Sequence, residues 1–362
     1  MRVRRVGRVD QWVPAAHRGD AIGDEAIRIR DVLRRAGMDS DVFALHVDDD
    51  LAGEVLEFSE RPPQTQSDVS ILHFALPSPL TEAFIEASGK KVLIYHNITP
   101  SRFFLNYDDE LVRIAEAGTR ELVSLSDTVD LALGDSEYNR EELENLGFAR
   151  TGVFPILMNF DDYLEGTPSP VMEEMLSDGR ANFLFVGRVY PNKRFEDLAR
   201  LAFFYKKYVS EDFRFILVGK AGRMERYQQS VQALADKWGL RPSEFLFTGH
   251  VSFEDLLACY RCADVFISMS EHEGFGVPLV ESMLMELPVL AYAAAAVPDT
   301  LGGAGIQFRE KRYEELAEMA HLLTVDESLR NAVIESQQAR LERFHPGRVE
   351  ADLLGYIQEV TS

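Results

Sequence analysis

Short apolar runs alternate with longer amphipathic stretches along most of this chain of 362 residues. That alternation is typical of parallel sheets with helices on both faces. In the first half, strands are predicted at 11–15, 41–45, 71–74, 91–95 and 131–134, and helices at 24–36, 79–87, 108–126 and 136–146. In the second half, strands are predicted at 182–186, 213–218, 244–248, 265–268, 289–291 and 305–307, and helices at 195–208, 224–238, 253–262, 277–284 and 313–324. The sequence therefore predicts an α/β fold with two sheets.

A stretch between the two halves has the composition of a domain boundary. It runs from Pro155 to about Gly179 and contains Pro168 and Pro170 among mixed polar residues. A chain of this length can form two domains, each with its own core. We expect one domain on each side of this stretch.

The charge and hydropathy of the chain limit its partners and its location. The formal net charge of −22 argues against nucleic acid, because a polyanion would be repelled. The longest apolar run, Leu287–Pro298, is too short to span a bilayer, and no N-terminal segment resembles a secretion signal, so we expect a cytoplasmic protein. The N-terminus carries a basic cluster of Arg2, Arg4, Arg5 and Arg8. This cluster is either a solvated terminus or a weak contact with the inner face of an anionic membrane.

Two cysteines, Cys259 and Cys262, have a C-x-x-C spacing that redox and metal sites also use. They fall on a predicted helix, and no further ligands of matching spacing accompany them. We interpret them as small core residues.

The segment Ser268–Glu281 places two carboxylates on either side of a glycine-bearing turn. A buried strand is predicted to end at its start, Gly274 and Gly276 follow, and a helix is predicted from 277. Free N–H groups at a helix N-terminus attract anions. The carboxylates of Glu273 and Glu281 accept hydrogen bonds from hydroxyl groups. Phosphate on the amides and hydroxyls on the acids together describe a nucleotide-sugar.

A second loop carries two cations at the end of a predicted strand. Gly187 is followed by Arg188 and, five positions later, by Lys193. Arginine can hold a diphosphate with two donors, and lysine adds a point charge. The alternative is a surface turn with solvated cations.

Both loops resemble those of the retaining glycosyltransferases of family 4, which have the GT-B fold. Glu273 and Glu281 match the E-x7-E motif, and Gly187–Lys193 matches the G-R-x-x-P-x-K loop, although Arg194 replaces the usual glycine. The resemblance extends over most of the chain. It implies two Rossmann-like domains with parallel sheets facing each other across a cleft.

The resemblance also implies how the chain is divided. The last helix of this fold crosses back onto the first domain, and 346–360 looks like that helix. The N-terminal, acceptor-side domain would then comprise 1–157 plus 345–362. The nucleotide-sugar-binding domain would comprise 158–344.

The family assigns roles to the residues of these loops. Glu281 would bind the donor ribose, Glu273 would lie beside the transferred sugar, and Arg188 and Lys193 would hold the diphosphate. The residues that would surround the sugar and diphosphate are Gly187, Gly274, Phe275, Gly276, Val277 and Leu279. The residues that would border the base are His250 and Val251.

The N-terminal half contains a histidine at a predicted strand end. His96 begins an H-N-x-T-P sequence that resembles a subgroup of the family, in which this histidine approaches the transferred sugar. A neutral imidazole there can donate a hydrogen bond. Asn97 is a candidate acceptor ligand, whereas His73, within a predicted strand, is interpreted as structural.

An earlier loop, 19–22, resembles the G-D-A-I loop of the same subgroup. Gly19 and Gly23 would let the backbone approach the diphosphate. Asp20 would bind the acceptor, and Asp24 is equally well explained as the N-cap of a helix.

The resemblance thus implies retaining transfer of a mannose- or glucose-type hexose from a GDP- or UDP-linked donor, without a metal or other cofactor. The acceptor would be a glycan, a glycolipid or a small molecule, in cell-surface polysaccharide assembly. Two alternatives stay open at this point. They are a nucleotide-sugar 2-epimerase of the same fold and a catalytically silent partner of an active transferase.

Overall fold

The computed structural model describes residues 6–17, 19–60 and 67–362. Three arginines of the basic cluster, Arg2, Arg4 and Arg5, lie outside these residues. The chain divides into two compact units. The first comprises the described residues up to Ser101, Glu110–Met158 and Arg343–Ser362, and the second comprises Arg102–Asp109 and Asn159–Glu342.

Each unit contains one parallel sheet. The strands of the first are β1 (Val9–Ala16), β2 (Val42–Val47), β3 (Leu56–Glu57), β4 (Val69–Phe74), β5 (Lys90–Tyr95), β6 (Leu131–Gly134) and β7 (Thr151–Val153). The strands of the second are β8 (Ala181–Val186), β9 (Phe213–Val218), β10 (Phe245–Gly249), β11 (Val265–Ser268), β12 (Val289–Tyr292) and β13 (Ile306–Phe308).

The helices cover the sheets and connect the strands. Those of the first half are α1 (Ala21–Arg35), α2 (Leu80–Glu86), α3 (Asp109–Ser124), α4 (Glu137–Asn145), α5 (Phe160–Leu164) and α6 (Pro170–Leu176). The remaining helices are α7 (Phe195–Tyr208), α8 (Glu225–Lys237), α9 (Phe253–Cys262), α10 (Val277–Leu284), α11 (Val297–Leu301), α12 (Tyr313–Val325), α13 (Glu327–Leu341) and α14 (Pro346–Thr361). Short 3-10 turns lie at Asp49–Leu51, Phe58–Glu60, Ser101–Phe103, Pro191–Lys193 and Gly222–Met224.

The two sheets share one strand order. It is β3-β2-β1-β4-β5-β6-β7 in the first unit and β10-β9-β8-β11-β12-β13 in the second. In both sheets the chain starts at a central strand, adds strands on one side and then adds strands on the other side. This is the doubly wound order of Rossmann domains. The α/β class with two Rossmann-like domains is therefore confirmed. In each sheet the order reverses beside the central strand, at β1/β4 and at β8/β11.

The core of the first unit includes the last helix of the chain. The buried face of α14 carries Val349, Leu353, Ile357 and Val360, spaced as on one stripe of a helix. These side chains pack with strand residues such as Ile94 in one cluster. The sheet of the first unit is thus covered partly by residues from the other end of the sequence.

The core of the second unit is rich in aromatic rings. Phe183 on β8 lies 4.8 Å from Tyr205 on α7 and 5.0 Å from Phe215 on β9, between ring centroids. Phe185 and Phe195 meet edge to face at 5.0 Å. Such pairs add to the free energy gained by burial, and they fix α7 against the central strands.

The segment Arg102–Asp109 groups with the second unit, whereas the predicted division of the chain placed it in the first domain. It belongs to the second unit because its aromatic side chains pack there. The ring of Phe104 lies 5.7 Å from that of Tyr190, and the ring of Tyr107 lies 5.3 Å from that of Tyr227.

The proline-containing stretch from Pro155 to Gly179 is not a plain linker, because it contains α5 and α6. Asn159 caps α5 and Ser169 caps α6. Pro170 occupies the first turn of α6, where a missing N–H is tolerated. The prolines therefore mark the start of a helix as well as a connection.

Two other sequence-based expectations can be compared with the structure. Both cysteines are free and lie on α9, and burial raises the pKa of the Cys259 thiol to about 12, as befits a core residue. Over the described ranges, we find no helix that combines the length and apolarity needed to cross a membrane.

Candidate functional site

The two loops singled out in the sequence leave neighbouring strands of the second unit. The loop with Arg188 and Lys193 follows β8, and the turn with Glu273 follows β11, which pairs with β8. These strands flank the point where the strand order reverses. Ligands of doubly wound sheets bind beyond the carboxyl ends of the strands at such a point.

Asn192 joins the two loops. Its buried side chain donates from Nδ2 to the carbonyl oxygen of His272 at 3.0 Å. The main-chain carbonyl oxygen of Asn192 accepts a hydrogen bond from the Glu271 N–H at 2.8 Å. Because these bonds link residues 79 and 80 positions apart, they hold the two loops together.

Two of the predicted catalytic side chains meet on this surface. Lys193 Nζ forms an ion pair with Glu273 Oε2, and both side chains are less than one-fifth exposed. Behind them, the Glu273 carbonyl oxygen accepts from the Ala296 N–H at 3.2 Å. The carboxylate and ammonium are thus positioned together.

The turn before α10 has the geometry that its glycine predicts. Gly276 is the N-cap of α10 and has a φ of 88°, in the left-handed region. Val277 is the first residue of the helix. Phe275 is buried, and its carbonyl oxygen accepts a hydrogen bond from Thr300 Oγ1 at 2.5 Å. The Leu279 N–H bonds to the Gly276 carbonyl oxygen at 2.9 Å.

Glu281 lies on α10 with its carboxylate held by two tyrosines. Its Oε1 accepts from Tyr163 Oη at 2.5 Å, and its Oε2 accepts from Tyr260 Oη. Burial raises the pKa of Glu281, and the two hydrogen bonds oppose that rise. Each carboxylate oxygen has a second lone pair, so hydroxyls of a ligand can still bind.

The sequence had not indicated either tyrosine. Tyr260 stands between the two cysteines on the buried face of α9. Tyr163 lies on α5, in the stretch interpreted as a boundary. The only available signal was the helical spacing of the apolar residues around Tyr260.

Close backbone approach shapes the diphosphate loop. A Cβ on Gly219, which follows β9, would lie 2.0 Å from the Gly187 carbonyl oxygen. Only glycine fits at this position. Arg188, which follows Gly187 in the chain, is exposed.

The residues predicted to border the base lie at the same edge of the sheet. Gly249 ends β10, and exposed His250 and half-buried Val251 follow it. In the strand order, β9 separates them from β8. Their position is compatible with a base beyond the diphosphate loop.

The first unit surrounds His96 with polar side chains, and only 3% of the His96 side chain is exposed. Its Nδ1 lies 3.1 Å from Asp135 Oδ2, and its Nε2 lies 3.0 Å from His73 Nδ1. Burial alone would lower the pKa of His96, but the carboxylates of Asp135, Glu25 and Asp20 raise it to about 9. These carboxylates favour the protonated ring, and the neutral imidazole expected beside a sugar stays a prediction.

The candidate acceptor ligands also have definite surroundings. Asn97 has a φ of 72° and donates from Nδ2 to Asn139 Oδ1 at 2.9 Å. Asp20 is the N-cap residue of α1, without a side-chain capping bond. Asp24 lies in the first turn of α1, so its interpretation as an N-cap is wrong.

The two glycines of the first loop differ in their surroundings. Gly19 has a φ of 78° with open space at its Cβ position, whereas a Cβ on Gly23 would lie 3.2 Å from the His17 carbonyl oxygen. Gly23 thus lets α1 start close to the end of β1.

Comparison with known proteins agrees with this architecture. Residues 180–326 match the family of group 1 glycosyltransferases. The chain is 26% identical over 239 residues to the O-antigen chain mannosyltransferase B of Escherichia coli, covering 65% of this chain and 59% of that protein. It is 33% identical over 140 residues to a GDP-mannose-dependent alpha-mannosyltransferase of Mycolicibacterium smegmatis, covering 38% and 31% of the two chains. The chain thus spans about three-fifths of the first of these relatives and one-third of the second.

A solved structure extends the likeness to both units. The HepE protein of Anabaena, in complex with UDP and glucose, superposes with a TM-score of 0.73 at 16% identity, over 97% of this chain and 100% of that one. The resemblance inferred from the sequence is confirmed: this chain is similar to the group 1 glycosyltransferases and has the GT-B fold.

Proposed function

We propose that this chain is a retaining hexosyltransferase that uses a nucleoside-diphosphate sugar. The observation that carries the proposal is the meeting of Lys193 and Glu273 where the strand order reverses. A cation for a diphosphate and a carboxylate for sugar hydroxyls stand side by side there. The matched family region, 180–326, includes both loops.

The donor diphosphate would bind the ammonium of Lys193 and the guanidinium of Arg188. Lys193 would then exchange part of its ion pair with Glu273 for the phosphate, and the released carboxylate oxygen would accept from sugar hydroxyls. Glu281, held by Tyr163 and Tyr260, would accept from the ribose hydroxyls.

In the transfer step, the bond between the anomeric carbon and the phosphate oxygen breaks. The acceptor hydroxyl oxygen bonds to that carbon on the same face, and its proton passes to the departing phosphate. No protein nucleophile is required. The cations of Lys193 and Arg188 stabilise the charge that develops on the leaving group, so we propose that this step needs no divalent metal.

The donor sugar and acceptor follow from the relatives. We propose mannose or glucose, because the relatives include mannosyltransferases and HepE was solved with UDP and glucose. The name of the O-antigen relative favours a glycan or lipid-linked acceptor in surface polysaccharide assembly. GDP and UDP are both candidate nucleotides.

Thermal unfolding with GDP, UDP, ADP and CDP tests the donor site. A ligand at about 100 times its Kd adds about 2.7 kcal/mol to the free energy of unfolding, which is a Tm shift of several degrees. We expect one nucleotide to raise the Tm of the wild type and of Glu335→Gln, an exposed control on α13, but not of Glu281→Gln. If no nucleotide raises the Tm of the wild type, the proposal is wrong.

Turnover separates the proposal from its alternatives. Nucleotide release that requires an acceptor contradicts an epimerase, and any transfer contradicts a silent subunit. NMR of the product should show the anomeric configuration of the donor. Activity should persist in EDTA, and a loss that magnesium restores would overturn the metal-free step.

A further inference from the structure

A cluster of metal-ligating side chains lies in the first unit, outside the proposed donor loops. Glu25 on α1, His73 on β4 and His96 directly after β5 each present one ligand atom, and these atoms lie within 4.8 Å of one another. The side chains of Glu25 and His96 are 0% and 3% exposed, and His73 is 1% exposed. The proposed function gives no role to Glu25 or His73.

Gln11 fixes the orientation of His73. Its Nε2 donates to the Ala26 carbonyl oxygen at 2.8 Å, so its Oε1 is the atom that lies 3.0 Å from His73 Nε2. That oxygen can only accept, and His73 Nε2 therefore carries a hydrogen. The lone pair of the neutral ring is then on Nδ1, which faces His96.

Asp135 orients His96 in the same way. Its Oδ2 lies 3.1 Å from His96 Nδ1 and accepts a hydrogen from it. Nε2 of His96 then faces inward, 3.0 Å from His73 Nδ1. Metal-binding histidines are held in this manner, with the outer ring nitrogen bonded to a carboxylate or carbonyl oxygen.

Glu25 presents the third atom. Its Oε1 accepts from the Leu157 N–H at 2.9 Å. Its Oε2 is buried, accepts no hydrogen bond from the part of the chain that the structure describes, and lies 3.8 Å from His96 Nε2. The His96 ring at that distance is too far for a hydrogen bond, so this oxygen can still accept a closer cationic ligand.

We propose that Glu25 Oε2, His73 Nδ1 and His96 Nε2 bind a divalent transition metal of the Zn²⁺ type. Two imidazoles and one carboxylate suit this ion. Tetrahedral bonds of about 2.0–2.1 Å place ligand atoms about 3.3 Å apart, and the separations of 3.0 and 3.8 Å lie on either side of that value. A bound ion would hold the carboxylates of Glu25 and Asp135 in their charged forms.

The ion would tie α1 to the ends of β4 and β5. This ion would not bind the donor diphosphate, because its ligands belong to the first unit. The proposal therefore agrees with a transfer step that needs no divalent metal. It replaces the proton that otherwise fills the gap between His96 and His73. Binding should therefore release protons.

The test is metal binding by the full chain. Protein stripped with a chelator and titrated with Zn²⁺ should bind one tight equivalent by elemental analysis, and Co²⁺ as a probe should give the visible absorption of a tetrahedral site. Glu25→Gln should weaken the affinity at least tenfold, and His73→Gln should abolish the Co²⁺ spectrum. His46→Gln, an exposed histidine on β2, is the matched control and should bind as the wild type does.

The result that overturns the proposal is independent of variant folding. Wild-type protein that binds no tight Zn²⁺ equivalent, and whose His73 and His96 ¹⁵N signals do not change when Zn²⁺ is added, contradicts it. Equal binding by folded His73→Gln also contradicts it, because the ion would then be on the surface. Nucleotide-induced Tm shifts report on the second unit, so failure here leaves the proposed function separately testable.

Discussion

Lys193 Nζ forms an ion pair with Glu273 Oε2, and 80 positions of sequence separate the two residues. The pair exists because β8 and β11 are neighbours and because Asn192 fastens one loop to the other. A carboxylate that holds the ammonium before ligand binds keeps it oriented toward the end of the sheet. Because of this ion pair, the effects on turnover of substituting Lys193 and of substituting Glu273 should depend on each other.

Replacing Lys193 should therefore impair the proposed transfer. We expect Lys193→Met to lower kcat by about 10²–10³-fold, as loss of one electrostatic donor does. Lys237→Met, at an exposed position near the end of α8, should leave it unchanged. The check is initial-rate kinetics with the donor found by thermal unfolding. Lys193→Met combined with Glu273→Gln should lose less than the product of the single effects.

Tyr260 should control both stability and nucleotide affinity. Tyr260→Phe leaves the buried Oε2 of Glu281 without its donor, which should lower the free energy of unfolding by about 1–3 kcal/mol. The nucleotide Kd should rise as well, because the carboxylate loses its fixed orientation. Tyr208→Phe, an exposed ring on α7, is the control in urea unfolding and calorimetry. Unchanged Kd in folded Tyr260→Phe would argue against a positioning role.

Two glycine substitutions should have opposite effects. Gly219→Ala forces a Cβ to within 2.0 Å of the Gly187 carbonyl oxygen, so the protein should be destabilised and the diphosphate loop displaced. Gly355→Ala, inside α14 with open space at its Cβ position, should stabilise by about 0.5–1 kcal/mol. Thermal unfolding of both variants provides the comparison, and a Gly219→Ala protein as stable as wild type would contradict the close approach.

Asp197 should make the second unit sensitive to acid. Burial would raise the pKa of Asp197, but hydrogen bonds from Lys311 and Tyr313 and the charge of Arg194 outweigh it and lower the pKa. A depressed pKa contributes stability above the ordinary pKa of the group, and that stability is lost as the pH falls through the depressed value.

The corresponding variant is Asp197→Asn. At pH 7 it should be less stable than wild type by about 1–3 kcal/mol, and the difference should shrink as the pH falls below 4. Urea unfolding from pH 7 to pH 3 measures it, with exposed Asp212→Asn as the control. A difference that stays constant with pH would contradict the ionic origin.

The elements that the sequence predicted are those with a clear period or a clear boundary. β11, α9 and α10 begin and end at the predicted residues. Ser252 caps the start of α9, and Gly276 precedes the start of α10. β7 was missed because Val153 is its only large apolar residue, and α13 because its sequence is largely polar and only Val333, Gln337 and Leu341 are buried. Neither presents a long enough apolar pattern.

The site was predictable where its chemistry lies in contiguous motifs. The loops with Lys193 and Glu273 were predicted because their residue types and spacing indicate binding of a diphosphate and of hydroxyl groups. The tyrosines at Glu281 were not, since their contacts span 118 and 21 positions and no local pattern marks them. The raised pKa of His96 also depends on neighbours that only the fold brings together, chiefly Asp135 after β6 and Glu25 on α1.

The position of α14 has a consequence for synthesis on the ribosome. The buried stripe from Val349 to Val360 belongs to the same core as Ile94 and the rest of the first sheet. That sheet is made first, yet the part of its hydrophobic face that α14 covers stays exposed while the whole second unit is translated. We expect the nascent first unit to need protection from aggregation until Pro346–Thr361 emerges. The second unit, whose segments are all made before α14, can reach its native core earlier.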